Sequence, residues 1–184
     1  MGPYTDQSDE TLAVQAARGD QEAVSVLVRR HSPRVYGFLQ RYHPDRDDCD
    51  DLLQDTWIRA FSNLDRFDPK KRFTTWLFQI ALNLCRDLAR RDRVRSVYRK
   101  DAQEIQKGMA GVTAEEKMDA MKAMQAIEAL PLQQKEALLL RYYHGFPEAE
   151  TSEILGCPRG TVKSRLHQAV KAVRERLEPE EGKP

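Results

Sequence analysis

The stretch PEAETSEILGCPRGTVKSRLHQAVKAVRERL, residues 147–177, decides the fold of the C-terminal part of the chain. Its first part predicts a short helix ending at Leu155, and the residues from Gly156 to Gly160 predict a tight turn. Apolar residues then recur at steps of three and four, which predicts a longer helix from about Arg159 to Leu177. This order of elements is typical of a helix-turn-helix, the motif that places its second helix in the major groove of DNA.

The second helix of this motif has one apolar and one polar face. The predicted buried stripe is Val162, Leu166, Ala169, Val170, Val173 and Leu177. The other face offers hydroxyl, amide, imidazole and cationic groups, which can bind phosphates and base edges. A helical hairpin with a solvated basic face is the alternative. The candidate contact residues are Arg159, Thr161, Lys163, Ser164, Arg165, His167, Gln168 and Lys171.

Upstream of this motif the apolar spacing is helical almost throughout, which predicts an all-α fold. Pro33 is expected to separate two helices, and the polar stretch 96–113, with two glycines, is typical of a linker. We therefore expect two small helical domains, residues 1–93 and 116–178, with a flexible linker at 94–115 and a tail at 179–184. The helices predicted before the motif cover about 9–18, 21–31, 33–43, 48–64, 74–93, 113–130 and 132–144.

The net charge of +1, from 30 Lys and Arg against 29 Asp and Glu, conceals a segregation of charge. Residues 45–55 contain six aspartates and one arginine. Negative charge is favourable at a helix N-terminus, so a solvated acidic helix start is one interpretation, and a docking surface for a basic partner is the other. Residues 66–100 contain eleven basic and three acidic residues, as expected of a surface that follows phosphates.

Aromatic residues lie among these basic charges, at Phe67, Phe73, Trp76 and Phe78. Single-stranded nucleic acid is bound in this way, by basic groups on the backbone and flat side chains against the bases. The alternative is that Phe73, Trp76 and Phe78 belong to the hydrophobic core, and Trp76 is in helical register with Ile80 and Leu84.

The motifs of several enzyme classes are missing. The sequence has no GxxxxGK[ST] phosphate loop, no GxGxxG and no HExxH. The scattered Cys49, Cys85 and Cys157 favour isolated thiols over a redox or metal role. The carboxylates of 45–55 could bind Mg²⁺, but no companion site supports a reaction.

No apolar stretch reaches the roughly 18 residues of a membrane span, and the N-terminus resembles no export signal. We therefore expect a cytoplasmic, non-enzymatic protein without a metal or cofactor.

Three blocks of sequence resemble the sigma factors of bacterial RNA polymerase, specifically the compact extracytoplasmic-function group of the sigma-70 family. The resemblance covers about residues 9–177 and implies sigma region 2 in the first domain and sigma region 4 in the second. It implies a factor that binds core polymerase, directs it to promoters and helps to melt them. The blocks are DLLQD at 51–55 followed by AF at 60–61, the stretch from Phe67 through FTTWL at 73–77 to ALN at 81–83, and GCPRGTVKSR at 156–165.

The resemblance also implies roles for particular residues. The acidic face, with Asp51, Leu52, Gln54 and Asp55, takes the role of binding the clamp helices of the polymerase β′ subunit, and the β flap is a second polymerase contact. The helix-turn-helix takes the role of recognising the minus-thirty-five promoter element as duplex. Asn83 lines a pocket for a minus-ten base extruded from the stack. The implied minus-ten contacts are Lys70, Lys71, Arg72, Phe73, Thr74, Trp76, Asn83, Arg86, Asp87, Arg90 and Arg91.

Two residues depart from the pattern of the family. Asp87 stands where relatives often carry a neutral or basic residue, so we expect an unusual minus-ten preference. Thr151 replaces an apolar residue, so we expect slightly looser packing. By analogy the resemblance implies an anti-sigma protein as a further partner.

Two other classes of protein remain open on the residues alone. A conventional helix-turn-helix regulator would bind duplex DNA by itself, usually as a dimer, and would not use the acidic face. A basic RNA-binding or scaffold protein would not need an ordered recognition helix.

Overall fold

The structure is a computed structural model that describes residue 4 and residues 6–42, 46–96 and 114–177. The chain divides into two compact units, residues 1–101 and 102–184. The described residues form helices and turns, which confirms the predicted all-α fold with two helical domains. Most of the predicted linker at 94–115 and the tail at 179–184 lie outside the described residues, so the exact domain bounds stay predictions.

The first unit contains four described helices, and a 3-10 turn at Leu64–Arg66 lies between the last two. Ser8 caps the first helix, because its Oγ accepts a hydrogen bond from the backbone N–H of Thr11 at 3.2 Å. The helices are α1 (Asp9–Ala17), α2 (Gln21–Tyr42), α3 (Arg46–Ser62) and α4 (Phe73–Ser96).

The predicted break at Pro33 is wrong, because α2 runs through it from Gln21 to Tyr42. An internal proline costs about 3 kcal/mol or more, since it removes a backbone hydrogen bond and its ring crowds the preceding turn. The apolar stripe continues on both sides of the proline, where Leu27, Val35 and Phe38 are fully buried. Each such burial contributes about 1.5–3 kcal/mol, so the continuous helix is favoured over a break.

Aromatic side chains fill the centre of the first unit. Phe38, Phe73 and Phe78 are fully buried, and the rings of Phe38 and Phe78 lie 5.5 Å apart. The core interpretation of Phe73 and Phe78 is therefore confirmed. A hydrogen bond also links α3 to α2, since Nε1 of Trp57 donates to Oγ of Ser32 at 2.9 Å.

Helix α1 is fixed to the rest of the unit by two carboxylates. Asp9 contacts Nε2 of the buried His31 and Nη1 of Arg30, both at 2.9 Å. The hydrogen bond with His31 is the main cause that holds the pKa of Asp9 below its ordinary value, and the charge of Arg30 acts in the same direction. Glu10 Oε1 accepts a hydrogen bond from the backbone N–H of Phe73 at 3.2 Å. The start of α4 is thus positioned by a residue that lies far away in sequence.

The second unit contains α5 (Ala114–Glu128), α6 (Leu132–Leu138), α7 (Glu148–Leu155) and α8 (Arg159–Leu177). The helix predicted over 132–144 is not uniform, because α6 passes into a π-helical turn at Leu139–Tyr143. In this turn Leu139 and Leu140 are buried, while Tyr142 and Tyr143 are exposed.

The tight turn predicted between the two helices of the helix-turn-helix is present. Gly156 has φ 66° and ψ 37°, a left-handed conformation that costs glycine little. Ser152 stabilises the turn, since its Oγ donates to the carbonyl of Cys157 at 2.7 Å. Thr151 is fully buried, but its hydroxyl donates to the carbonyl of Phe146 at 3.3 Å and so has a partner in the core.

No helix in the described ranges is long and apolar enough to cross a membrane. Among the same residues, no cluster of three or more His, Cys, Asp or Glu side chains could hold a metal ion. Cys49 and Cys85 are buried and Cys157 is partly exposed, and none of the three is in a disulfide.

Candidate nucleic-acid and protein interfaces

Asp51, Gln54 and Asp55 form an exposed acidic face on α3. Their spacing of three and four residues places them on one side of the helix. The side chain of Ile58 continues this stripe and is 54% exposed, which is unusual for a large apolar residue. The spacing alone could have identified Ile58 from the sequence.

Leu52 requires a correction, because it is buried in the first unit and offers no surface to a partner. It follows Asp51 by one residue, and successive helical residues point about 100° apart. Leu52 therefore packs α3 against the core of the first unit, while the acidic face of the same helix points to solvent.

A cavity of about 290 Å³ opens between the end of α3 and α4, and Asn83 lies at its rim. Trp76 is half-buried: one side of its ring packs near Phe67, at 5.2 Å between centroids, and it also lines the cavity. Both earlier interpretations of Trp76 thus describe part of its surroundings. The lining residues of this cavity, called the Asn83 cavity, are Arg59, Asn63, Arg66, Trp76, Ile80 and Asn83.

Sequence reasoning did not connect Arg59, Asn63 and Arg66 with this cavity. In the sequence, Arg66 belongs to the basic block, while Arg59 and Asn63 belong to the preceding helix and its end. Asn63 is oriented by its own neighbourhood, since its Nδ2 donates to the carbonyl of Arg59 at 2.8 Å. Only the packing of α3 against α4 brings these side chains to Asn83.

Asp87 lowers the positive charge beside the Asn83 cavity. Its carboxylate lies 3.9 Å from Nη1 of Arg59 and 3.5 Å from Nη2 of Arg90. These pairs are partly exposed, so they contribute little to stability. Their effect is local, because Arg59, which lines the cavity, and Arg90, which is exposed on α4, share the carboxylate of Asp87.

The loop residues Lys70, Lys71 and Arg72 line a different and larger cavity, of about 600 Å³. Its other wall comes from α1 and from Arg18, which follows the end of that helix. Asp68 orders the loop, because its Oδ1 accepts a hydrogen bond from the backbone N–H of Lys70 at 3.0 Å. The structure therefore does not bring these three cations and Asn83 into one cavity.

Phe73 and Thr74 require a second correction. Phe73 is fully buried between His31 and Trp76, with ring separations of 5.5 and 5.8 Å, and Thr74 is buried as well. Neither side chain can contact DNA while α4 stays packed, so they hold the start of the helix instead. Further along α4, Arg86 is half-buried and Arg90 and Arg91 are exposed.

The polar face of α8 is exposed over most of its length. The buried stripe is present at Val162, Leu166 and Ala169, whereas Leu177 is exposed, contrary to expectation. Thr161 and Arg165 are half-buried beside this stripe. The exposed candidate residues are Arg159, Lys163, Ser164, His167, Gln168 and Lys171.

Acidic neighbours accompany two of these cations. Lys163 Nζ lies 3.8 Å from Glu148 at the start of α7, and Lys171 Nζ lies 3.8 Å from Glu175 on α8 itself. Both pairs are exposed and can exchange for phosphate at small cost.

Comparison with known families gives two matches on this chain. Residues 27–95 match the sigma-70 region 2 family, and residues 120–173 match the sigma-70 region 4 family. The first match covers α3 and all of α4 but its last residue, and the second covers α7, the turn and α8 as far as Val173.

Individual proteins are similar over nearly the whole chain. RNA polymerase sigma factor NccH of Alcaligenes xylosoxydans xylosoxydans is 37% identical over 90% of this chain and 92% of its own length. The ECF RNA polymerase sigma-E factor of Haemophilus influenzae is 30% identical over 94% of this chain and 96% of its own. A solved structure, the sigma factor RpoE with the anti-sigma factor NepR from Bartonella quintana, aligns with a TM-score of 0.69 at 26% identity, covering 83% of this chain and 95% of that one.

Proposed function

The chain belongs to the extracytoplasmic-function group of RNA polymerase sigma factors, and we propose that it directs core polymerase to a class of promoters and helps to open them. The observation that carries this proposal is the presence of an exposed acidic face in one unit and a helix-turn-helix in the other. A conventional helix-turn-helix regulator has no use for the first of these.

The acidic face is the proposed docking site for the clamp helices of the β′ subunit. Asp51 and Asp55 supply charge and Gln54 a hydrogen-bonding group, and the exposed Ile58 adds apolar contact at one end. An apolar residue beside charged ones is a common composition for a protein interface. The β flap is the proposed polymerase contact of region 4.

The Asn83 cavity is the proposed site for a minus-ten base that has left the duplex. Trp76 and Ile80 supply apolar walls, Asn83 supplies both a donor and an acceptor, and Arg59 and Arg66 supply charge for nearby phosphates. Lys70, Lys71 and Arg72 are proposed to follow the same strand along the loop. Arg86, Arg90 and Arg91 are proposed to bind phosphates beyond the cavity.

Helix α8 is the proposed reader of the minus-thirty-five element. Its exposed face carries amide, imidazole, hydroxyl and cationic groups on a helix of 19 residues, which suits the major groove.

Catalysis of nucleotidyl transfer is left to the polymerase, so the chain itself is proposed not to be an enzyme. It acts where polymerase and promoter DNA meet, in the cytoplasm.

An anti-sigma protein is the proposed regulatory partner. Support comes from the similar RpoE of Bartonella quintana, whose structure contains the anti-sigma factor NepR. Such a partner would compete with polymerase or promoter DNA for the surfaces described above.

In vitro transcription tests the proposal, using purified core polymerase, a library of promoter fragments and the chain added or withheld. Start sites that appear only with the chain are the expected result. A folded chain that binds core polymerase but yields no new start sites contradicts promoter direction. A chain that binds duplex DNA without polymerase supports the regulator alternative instead.

A further inference from the structure

Two consecutive glutamines in the first turn of α6 contact the polar side of α8. Gln133 Oε1 accepts a hydrogen bond from Nη2 of Arg165 at 2.8 Å. Gln134 Nε2 donates to Oε1 of Gln168 at 3.2 Å. Arg165 and Gln168 are three residues apart and therefore neighbours on one helix face. The glutamine pair thus engages one edge of the surface proposed to meet DNA.

Arg165 is held from two sides. Besides the bond to Gln133, its Nη1 lies 3.5 Å from Sγ of Cys157 in the turn of the helix-turn-helix. A long side chain loses rotamer freedom when it binds, and that loss opposes association. Because both terminal nitrogens of Arg165 already have partners, the plane of its guanidinium is set before DNA arrives. The group has five N–H donors, so donors remain for a phosphate or a base.

The orientation of the Gln168 amide follows from its bond to Gln134. An amide has an oxygen that accepts and an NH₂ group that donates. Since Gln134 donates to the oxygen of Gln168, the NH₂ group of Gln168 is the end left for another partner. In the major groove, purine N7, guanine O6 and thymine O4 accept hydrogen bonds, whereas adenine N6 and cytosine N4 donate them. Gln168 held in this way favours base edges that accept.

We propose that Gln133 and Gln134 are positioning residues for α8: Gln134 sets its base preference, and Gln133 sets the strength of its binding to DNA. Gln133 fixes the guanidinium of Arg165, and Gln134 fixes the amide of Gln168 with its NH₂ group available to a base acceptor. The inference rests on the proposed reading of the minus-thirty-five element by α8. It requires no contact between DNA and either glutamine.

The experiment uses the full chain with core polymerase and a promoter library randomised across the minus-thirty-five element, with transcripts counted by sequencing. Gln134→Ala is expected to reduce the preference at one base pair by about 3- to 10-fold, because one hydrogen bond orients the Gln168 amide. Gln134→Glu is expected to invert the preference at that base pair. A carboxylate only accepts, so it would bind the NH₂ group of Gln168 and turn its oxygen toward adenine N6 or cytosine N4.

Gln133→Ala is expected to lower the yield from minus-thirty-five promoters by about 3- to 10-fold while the preferred sequence stays the same, since Arg165 loses one fixed partner. Gln125→Ala removes an exposed glutamine on α5 and serves as the matched control, with yield and preference unchanged. In the background of Gln168→Ala, a further change of Gln134 to Ala is expected to have no effect on base preference, because Gln134 acts through Gln168.

Three results separate the possible failures. Unchanged base preference in Gln134→Ala and Gln134→Glu, at wild-type melting temperature, overturns the inference. An additive effect of Gln134→Ala and Gln168→Ala on preference also overturns it, because Gln134 then acts independently. A wild-type chain with no preference anywhere in the upstream element overturns the proposed function instead.

Discussion

The two units carry their candidate DNA contacts in different geometries. In the second unit the contacts project from one helix, α8, over the buried Val162, Leu166 and Ala169. In the first unit Trp76 and Asn83 border a cavity of about 290 Å³ between two helices. A convex helix face fits the major groove of an intact duplex, whereas a cavity with an aromatic wall and an amide fits a single extruded base. The two units are thus suited to two different states of DNA.

The largest expected effect concerns polymerase binding, which we assign to the first unit. Asp51→Arg reverses a charge on the exposed acidic face, and we expect core polymerase to bind roughly 30-fold or more weakly, since like charges then meet across the interface. Because Asp51 is exposed, the helical content should be unchanged. Competition binding with labelled core polymerase and circular dichroism measure the two quantities.

Asp65→Arg is the matched control for this variant. It makes the same change of charge at an exposed residue of the 3-10 turn, away from the acidic face, and should leave polymerase affinity within about twofold. Equal loss in both variants would show that net charge, and not the acidic face, governs binding.

The second effect separates DNA opening from duplex binding. Asn83→Ala removes the amide at the rim of the Asn83 cavity, and we expect promoter opening to fall about 10-fold, since good base contacts contribute 1–3 kcal/mol. Polymerase affinity should stay the same. Permanganate reactivity of minus-ten thymines measures the opening.

Lys163→Ala in the second unit is expected to affect duplex binding and opening in the opposite way to Asn83→Ala. It should weaken binding to minus-thirty-five duplex and leave the opening of already bound promoters intact. If Asn83→Ala reduces polymerase binding and opening equally, the assignment of the cavity to an extruded base is wrong.

A smaller effect should follow from removing the carboxylate of Asp87. Asp87→Asn frees Arg59 and Arg90, and we expect affinity for single-stranded minus-ten DNA to rise by about two- to fivefold. The log–log salt dependence should steepen by about 0.7, the slope for one added phosphate contact on a single strand. Fluorescence anisotropy at several salt concentrations measures both quantities on polymerase holoenzyme.

Glu175→Gln on α8 is the corresponding change in the second unit. It frees Lys171 and should strengthen duplex binding while leaving single-strand affinity unchanged. An increase in single-strand affinity for both variants would remove the distinction between the units.

The smallest effect is on stability and is confined to the first unit. Asp9→Asn weakens the bond with His31 and removes the pair with Arg30, so α1 and α2 should lose hydrogen-exchange protection at pH 7 while α8 does not. The pKa of Asp9 is lowered in the folded chain, so its stabilisation is present above the unfolded pKa and disappears as pH falls through the folded pKa. The difference between variant and wild type should therefore shrink below about pH 4. A difference that persists undiminished well below pH 4 would contradict this role.

Helix positions were largely predictable because apolar spacing and capping residues are local signals. The Ser8 cap, the Gly156 turn and the exposed face of α8 follow from residues only a few positions apart. Pro33 misled the prediction, since a local breaker was overridden by burial along all of α2. Leu52 and Phe73 were assigned to partners because family motifs contain them, although their side chains form the support beneath the surface.

The sequence by itself determined the all-α class, the two domains, the family, and the residues available on single helix faces. These depend on periodicity and on short motifs, which do not need the rest of the chain. Only the tertiary structure decided that Arg59 and Asn63 join Asn83, that Glu10 caps the start of α4, and that Gln133 and Gln134 hold Arg165 and Gln168. Each of these contacts joins residues from separate elements, and their meeting depends on how whole helices pack.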